Sequence, residues 1–261
     1  MKNIVGITIF GYCIILMIIS PGFGWAAELS AHEIAQHVYD RNLGDDVTTI
    51  ATMELISKNG HIRSRKFTIQ SKDYGPVIKQ LIRFTSPADI AGTGFLAQEN
   101  DNGGTEQFLY LPALGRTRRI VSTQKGRSFV NTEFSYEDMQ RRPVDEWRHE
   151  LSGSAELNGI NCYIITSTTK EDTETAYSRV KSWVAKEFFM PMRVEFSNRK
   201  GEKTKVYRVL KLKDIQGIMT ATEVIMENLI KNRKTIIKNS SVVYNRNLND
   251  NIFSKRFLEE W

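Results

Sequence analysis

The segment His32-Glu33-Ile34-Ala35-Gln36-His37 has the residue types of a zinc-protease helix but not its spacing. That chemistry needs two imidazoles four residues apart on one helical face. These two are five apart, which turns the second ring ~140° away at ~100° per residue. His61 and His149 are the remaining histidines, and Cys13 and Cys162 form no paired motif, so no metal site is expected. Gly126-Arg127-Ser128-Phe129-Val130 is the nearest approach to a nucleophile elbow, but it lacks the second glycine and the helix that should follow. Glu137 and Asp138 are adjacent carboxylates. On a short helix they diverge by ~100°, which suits capping or ion pairing better than shared acid–base work. Glycines 92, 94, 103 and 104 precede no helix start and make no phosphate loop. The chain therefore reads as a non-enzyme without cofactor. A Ser-His-Asp triad needs no fixed chain order, which leaves a lipid-hydrolysing enzyme as an alternative.

The strongest local charge feature is Arg116, Arg118 and Arg119, followed by Lys125 and Arg127. On a strand the first two share a face and Arg119 points away. Two readings stand side by side. The guanidinium groups contact lipid phosphate or an acidic partner, or they form a solvated edge that deters strand pairing and ion-pairs with Glu133, Glu137 and Asp138. Cys162, flanked by Asn161 and Tyr163, reads as a small buried apolar side chain.

The elements that must position these residues begin with an address. Lys2, an apolar run from Ile4 to Ile19, a Ser20-Pro21-Gly22 break and small residues near Ala26 have the order of a cleaved signal peptide over 1–26. Retention as an anchor is the alternative, although the run is shorter than the ~20 residues of a spanning helix. Residues 27–261 then form a single exported domain with one cysteine and no internal disulfide. The net charge of +6 is modest and dispersed, which fits an anionic membrane environment and argues against nucleic acid.

Ser30 and Glu33 make a capping box for a helix over 30–42, with Ile34 and Val38 on one face. After Gly44 the hydrophobic period becomes two. Thirteen strand-like runs follow through short turns, from Val47–Ser57 to Thr235–Tyr244, and a short helix closes the chain at 252–260. The predicted fold is mainly β, an antiparallel meander curling on itself. Met190, Met192, Val194 and Phe196 alternate with Pro191, Arg193, Glu195 and Ser197, so one sheet face is dry. Two short helices are little cover for so large a face. Patterning leaves two outcomes, an inner face partly kept for an apolar ligand or a fully packed core.

Residues 83–139 resemble the outer-membrane lipoprotein-sorting protein family, the LolA-like periplasmic carriers. The resemblance rests on Arg83-Phe84 with Pro87, Gly92-Thr93-Gly94-Phe95-Leu96, Leu109 to Leu114, Arg118-Arg119-Ile120, Ser128-Phe129 and Phe134-Ser135-Tyr136-Glu137-Asp138-Met139. Pro191 to Phe196, Gly201, Met226-Glu227-Asn228 and Phe253 to Leu258 extend it downstream. Asn131-Thr132-Glu133 departs from the Gly-Ser-Asp-like approach expected before Phe134. The resemblance implies a half-open, incomplete antiparallel β-barrel of ten or more strands. Short helices cover its apolar cavity. It also implies a monomeric periplasmic carrier of lipoprotein acyl chains or lipid, served by an inner-membrane transporter and an outer-membrane acceptor. A cargo-free accessory module of a transporter is a further alternative. Period-two phase assigns Met53, Leu55, Phe67, Ile82, Phe84, Phe95, Leu109, Leu111, Met192, Val194, Phe196, Val224 and Met226 to the cavity. Arg116, Arg118 and Arg119 are the expected headgroup or partner contacts.

Overall fold

Each alternating run becomes a strand of one antiparallel sheet. The computed structural model describes residues 28–101, 103–170 and 173–260, so the segment expected to be a signal peptide lies outside the described residues. The strands are β1 (Asp46–Ile56), β2 (Ile62–Asp73), β3 (Ile78–Ser86), β4 (Gly94–Glu99), β5 (Thr105–Leu111), β6 (Arg116–Arg119) and β7 (Trp147–Leu157). They continue as β8 (Ile160–Thr169), β9 (Tyr177–Ala185), β10 (Pro191–Asn198), β11 (Lys203–Ile215), β12 (Ile218–Asn228) and β13 (Arg233–Tyr244). Their order in the 13-stranded sheet is β6-β5-β4-β3-β2-β1-β13-β12-β11-β10-β9-β8-β7. The chain thus lays down one half outward from β1 and the other half inward to β13, which pairs with β1. The edges, β6 and β7, do not pair, so the barrel stays open as expected.

The sixth run ends earlier than its sequence pattern suggests. Ile120 turns inward and is 3% exposed, and Ser122–Gln124 forms a short 3-10 turn. From there to Trp147 the chain must cross the mouth between the two edge strands. This connector, residues 120–146, contains four short 3-10 turns and no long helix.

The two α-helices take different faces. Helix α1 (Ala31–Tyr39) starts at the expected capping box: Ser30 Oγ accepts from the Glu33 amide, and the Glu33 carboxylate accepts from the Ser30 amide at 2.8 Å. It buries Ala31, Ile34 and Ala35 against Ile165, Val184 and connector Val144, at the β7 side of the inner face. Helix α2 (Lys255–Glu259) lies on the opposite, outer face. There Phe253 and Leu258 pack on Leu81, Leu96 and Phe108. Gly94 permits the approach, because a Cβ at this position would sit 2.6 Å from Leu258 Cδ1.

Candidate functional site

Tracing the register across the sheet defines its inner face. Phe67 faces Ala51 and Phe84, Phe95 faces Ile82 and Leu109, Val194 faces Tyr207, and Met226 faces Tyr207 and Thr235. Twelve of the thirteen residues assigned to the cavity from alternation share this face, and at Met192 a register break in β10 interrupts the alternation. Twelve sit in or against one cluster, and Met192 packs separately with Cys162, Ala185 and Val209. Cys162 is itself buried, and burial pushes its thiol above the usual range.

What fills the space in front of them is the connector. Phe129, Phe134 and Tyr136 belong to the same cluster. The Phe129 ring meets Phe95 edge-on at 5.1 Å and Tyr136 at 5.7 Å. Val130 and Asn131 adopt positive φ of 39° and 64°, which lets the chain double back. Asn131, where the family pattern departs from glycine, tolerates that backbone region.

Polar side chains rising from the inner face grip the connector at intervals. Arg65 on β2 donates to the Val130 carbonyl at 2.5 Å, and Gln107 on β5 donates to the Tyr136 carbonyl at 2.8 Å. Thr235 on β13 accepts from the Glu133 amide at 3.0 Å. Lys205 on β11 reaches Asp138 at 2.6 Å, and Tyr177 on β9 donates to the same carboxylate at 2.9 Å. Such groups are costly to bury alone, and each finds a partner on the segment it holds, although the Gln107 Oε1 is left without one. The local turn is self-templated: Asp138 accepts from both the Ser135 amide and hydroxyl. Burial raises the Asp138 carboxyl, but Lys205, Arg142 and the Ser135 hydrogen bonds outweigh it and hold the group below the usual carboxylate range. Burial, with the neighbouring Asp138 charge, pushes the Tyr177 phenol well above its usual range.

The ion pairs considered for the arginine cluster are made by other residues. Glu133 pairs with Arg233 at 3.0 Å, Glu137 accepts from Thr175 and from the Ala176 amide, and Asp138 binds Lys205 and Arg142. Arg116 and Arg118 lie opposite Leu111 and Leu109, at the exposed inner margin of β6. Arg119 points outward and pairs with Glu106 at 2.6 Å.

The connector does not fill the face completely. A cavity of about 370 Å³ opens beside Val47, Ile69, Ile78, Ala97 and Met139. A second, of about 210 Å³, lies under α1 between Val38, Trp147, Ile165, Val184 and Val194. Gln140 and Arg141 line both and form the partition between them. Arg141 is clamped there by a two-nitrogen contact with Glu99 and by the Tyr39 ring, 4.1 Å from its guanidinium carbon. Of the thirteen alternation-derived residues, Val194 lines a cavity wall, eleven others pack in or against the cluster that the connector completes, and Met192 lies apart from it. Alternation missed Tyr39, Gln140 and Arg141 because they lie on a helix end and an aperiodic segment. The available signal was the aromatic run from Phe129 to Tyr136, apolar yet without strand period.

Among the described residues no group of three or more His, Cys, Asp or Glu side chains is placed to hold a metal ion. No helix there is long and apolar enough to cross a membrane.

A family model described as an uncharacterized protein matches residues 78–260. The solved structure of a DUF1329 family protein from Desulfovibrio piger superposes with TM-score 0.82 at 30% identity, covering 87% of this chain and 97% of its own. The chain belongs to the DUF1329 family. A putative outer membrane lipoprotein-sorting protein domain from Vibrio parahaemolyticus is similar at 28% identity and TM-score 0.82, covering 88% of this chain and 98% of that one. A LolA superfamily protein from Nitrosomonas europaea shares the fold at TM-score 0.69 and 20% identity, over 88% of this chain and all (100%) of its own. No curated protein matches the chain. The lipoprotein-sorting resemblance carried by residues 83–139 thus holds for this DUF1329 member, and its half-open barrel is the LolA-like fold.

Proposed function

We propose that the protein is a periplasmic, non-catalytic carrier that shelters the acyl chains of a lipid or lipoprotein and passes them between envelope membranes. The observation that carries this reading is the pair of cavities between the inner face and its connector, whose apolar walls at Ile69, Ala97, Val184 and Val194 adjoin charged side chains such as Lys72, Glu99 and Arg141. A packed β core has no use for such space, because interiors close to crystal density. Each acyl methylene left in water costs ~0.8 kcal/mol, so a multi-chain lipid needs a shelter to cross an aqueous gap. The cavities admit one end of a chain. Longer cargo is accommodated when the connector lifts and exposes Met53, Leu55, Phe67, Ile82, Phe84, Phe95, Leu109, Leu111, Phe196, Val224 and Met226. Methionines among them suit an irregular occupant. Arg116 and Arg118 then stand at the open margin, where phosphate would lie.

The test is mass spectrometry of organic extracts from protein purified out of its native envelope. Lipid or acylated protein should be present at near-stoichiometric amounts and should be absent from Val194→Asp and Met226→Asp variants that are exported at normal levels. Cargo retained by both variants would overturn the assignment. Fatty acid released from added phospholipid, and persisting through purification, would favour the hydrolase.

A further inference from the structure

Three neighbouring hairpins end at one rim of the sheet. β1 pairs with β13 and β11 with β12, so the β1–β2, β12–β13 and β10–β11 turns lie side by side. Large apolar side chains on these tips face solvent. Ile230 is 66% exposed, Ile62 54% and Leu229 47%. A turn ordinarily selects Gly, Asn, Asp, Ser or Pro, so a Leu-Ile pair there answers no demand of the backbone. The chain nevertheless places them beside unneutralised charge. Lys58, Arg63, Lys200 and Lys231 are exposed on the same tips and make no ion pair among the described residues. Across residues 57–63, 199–203 and 229–234, Glu202 is the one acidic residue. Asp89 and Glu174, on the turns beyond to either side, bound this basic stretch.

Protruding aliphatic side chains ringed by lysine and arginine match one environment. The aliphatic groups enter the boundary between headgroups and acyl chains, while the cations meet anionic headgroups. An acidic protein surface would use the charges but leave Ile230 and Leu229 in water. We propose that this rim docks the protein on bilayers containing anionic lipid, with Ile62, Leu229 and Ile230 seated among the headgroups. Docking uses the rim and cargo uses the inner face, so either reading stands without the other.

Flotation of the full exported chain with phosphatidylcholine vesicles, and with vesicles that also contain phosphatidylglycerol, tests this. Binding is expected to the anionic vesicles and to weaken at high salt. The Leu229→Asp/Ile230→Asp variant should lose more than about tenfold in partitioning, and Lys58→Glu/Lys231→Glu a comparable factor. Ile230→Cys carrying a polarity-sensitive fluorophore should shift to the blue on anionic vesicles; Cys162 is 0% exposed and does not compete for label. Absence of flotation, flotation unchanged in both double variants, or an unshifted fluorophore on bound protein would each overturn the proposal. Cargo in organic extracts of Leu229→Asp/Ile230→Asp should equal wild type, which separates failure of docking from failure of the carrier reading.

Discussion

Asp138 on the connector and Lys205 on β11 form a 2.6 Å ion pair inside the half-barrel, with side chains only 4% and 10% exposed. The pair fixes an aperiodic segment to a particular strand. Removing Lys205 alone leaves the buried Asp138 carboxylate with only Arg142, 3.5 Å away, as a charged partner, whereas replacing both residues leaves no buried charge, Arg142 being 30% exposed. Lys205→Met should therefore destabilise by about 3–5 kcal/mol in chemical denaturation. Asp138→Leu/Lys205→Met should recover more than half of that loss. Equal destabilisation of single and double variants would show that the pair is not coupled.

The same carboxylate sets an acid limit. Its folded value lies below the unfolded one, so its contribution to stability is fully present above about pH 4 and is lost as pH falls through the folded value. Its loss should lower the thermal midpoint below about pH 4, beneath the range in which His149, whose imidazole burial holds below its usual value, already costs stability as pH falls through about 6.5. Asp138→Asn should start lower and fall less steeply over the acid range. Parallel curves for the two proteins would assign the acid limit to other groups, such as Glu195, whose carboxyl Arg193 and Lys203 hold low against its burial.

The outer face offers a steric test. Leu258 is 0% exposed and sits where a Gly94 side chain would go. Gly94→Val should cost about 1–3 kcal/mol by overpacking and loosen the C-terminal helix. In a Leu258→Ala background the Gly94→Ala change should cost less than it does alone. Additive costs would mean that the two residues do not share that space.

These cases mark how far the sequence could be read. Thirteen strands were legible because alternation such as Met53 and Leu55, or Val194 and Phe196, is imposed directly by a sheet with one dry face. The capping box at Ser30 and Glu33 was legible because its chemistry is local. Which face each helix covers was not legible: α2 lies on the outer face through Gly94, a contact between residues 164 positions apart. Nor was the role of residues 120–146, whose conformation is set by Arg65, Gln107, Lys205 and Thr235 on four separate strands. Asp138 was read correctly as an ion-pairing residue, whereas Glu137 accepts hydrogen bonds from Thr175 and the Ala176 amide in the loop before β9; these partners are distant in sequence and had no local signal.

Arg141 offers a test that separates stability from the proposed exchange of cargo. It partitions the two cavities while contacting Glu99, the Tyr39 carbonyl at 3.3 Å and the Tyr39 ring. It thereby ties the connector both to the β4 strand and to α1. Arg141→Ala removes both ties and leaves Gln140 alone in the partition, while Asp138–Lys205 stays in place. The expected outcome is a stability loss of about 1–3 kcal/mol together with faster uptake of an apolar fluorescent probe, measured by stopped flow. Val194→Trp narrows the cavity under α1 and should slow uptake and lower the amount of probe bound, in both the wild-type and Arg141→Ala backgrounds. If Arg141→Ala leaves uptake unchanged while it lowers stability, the partition is structural. If Val194→Trp alters neither rate nor amount, cargo enters by the larger cavity beside Ile69 and Ala97.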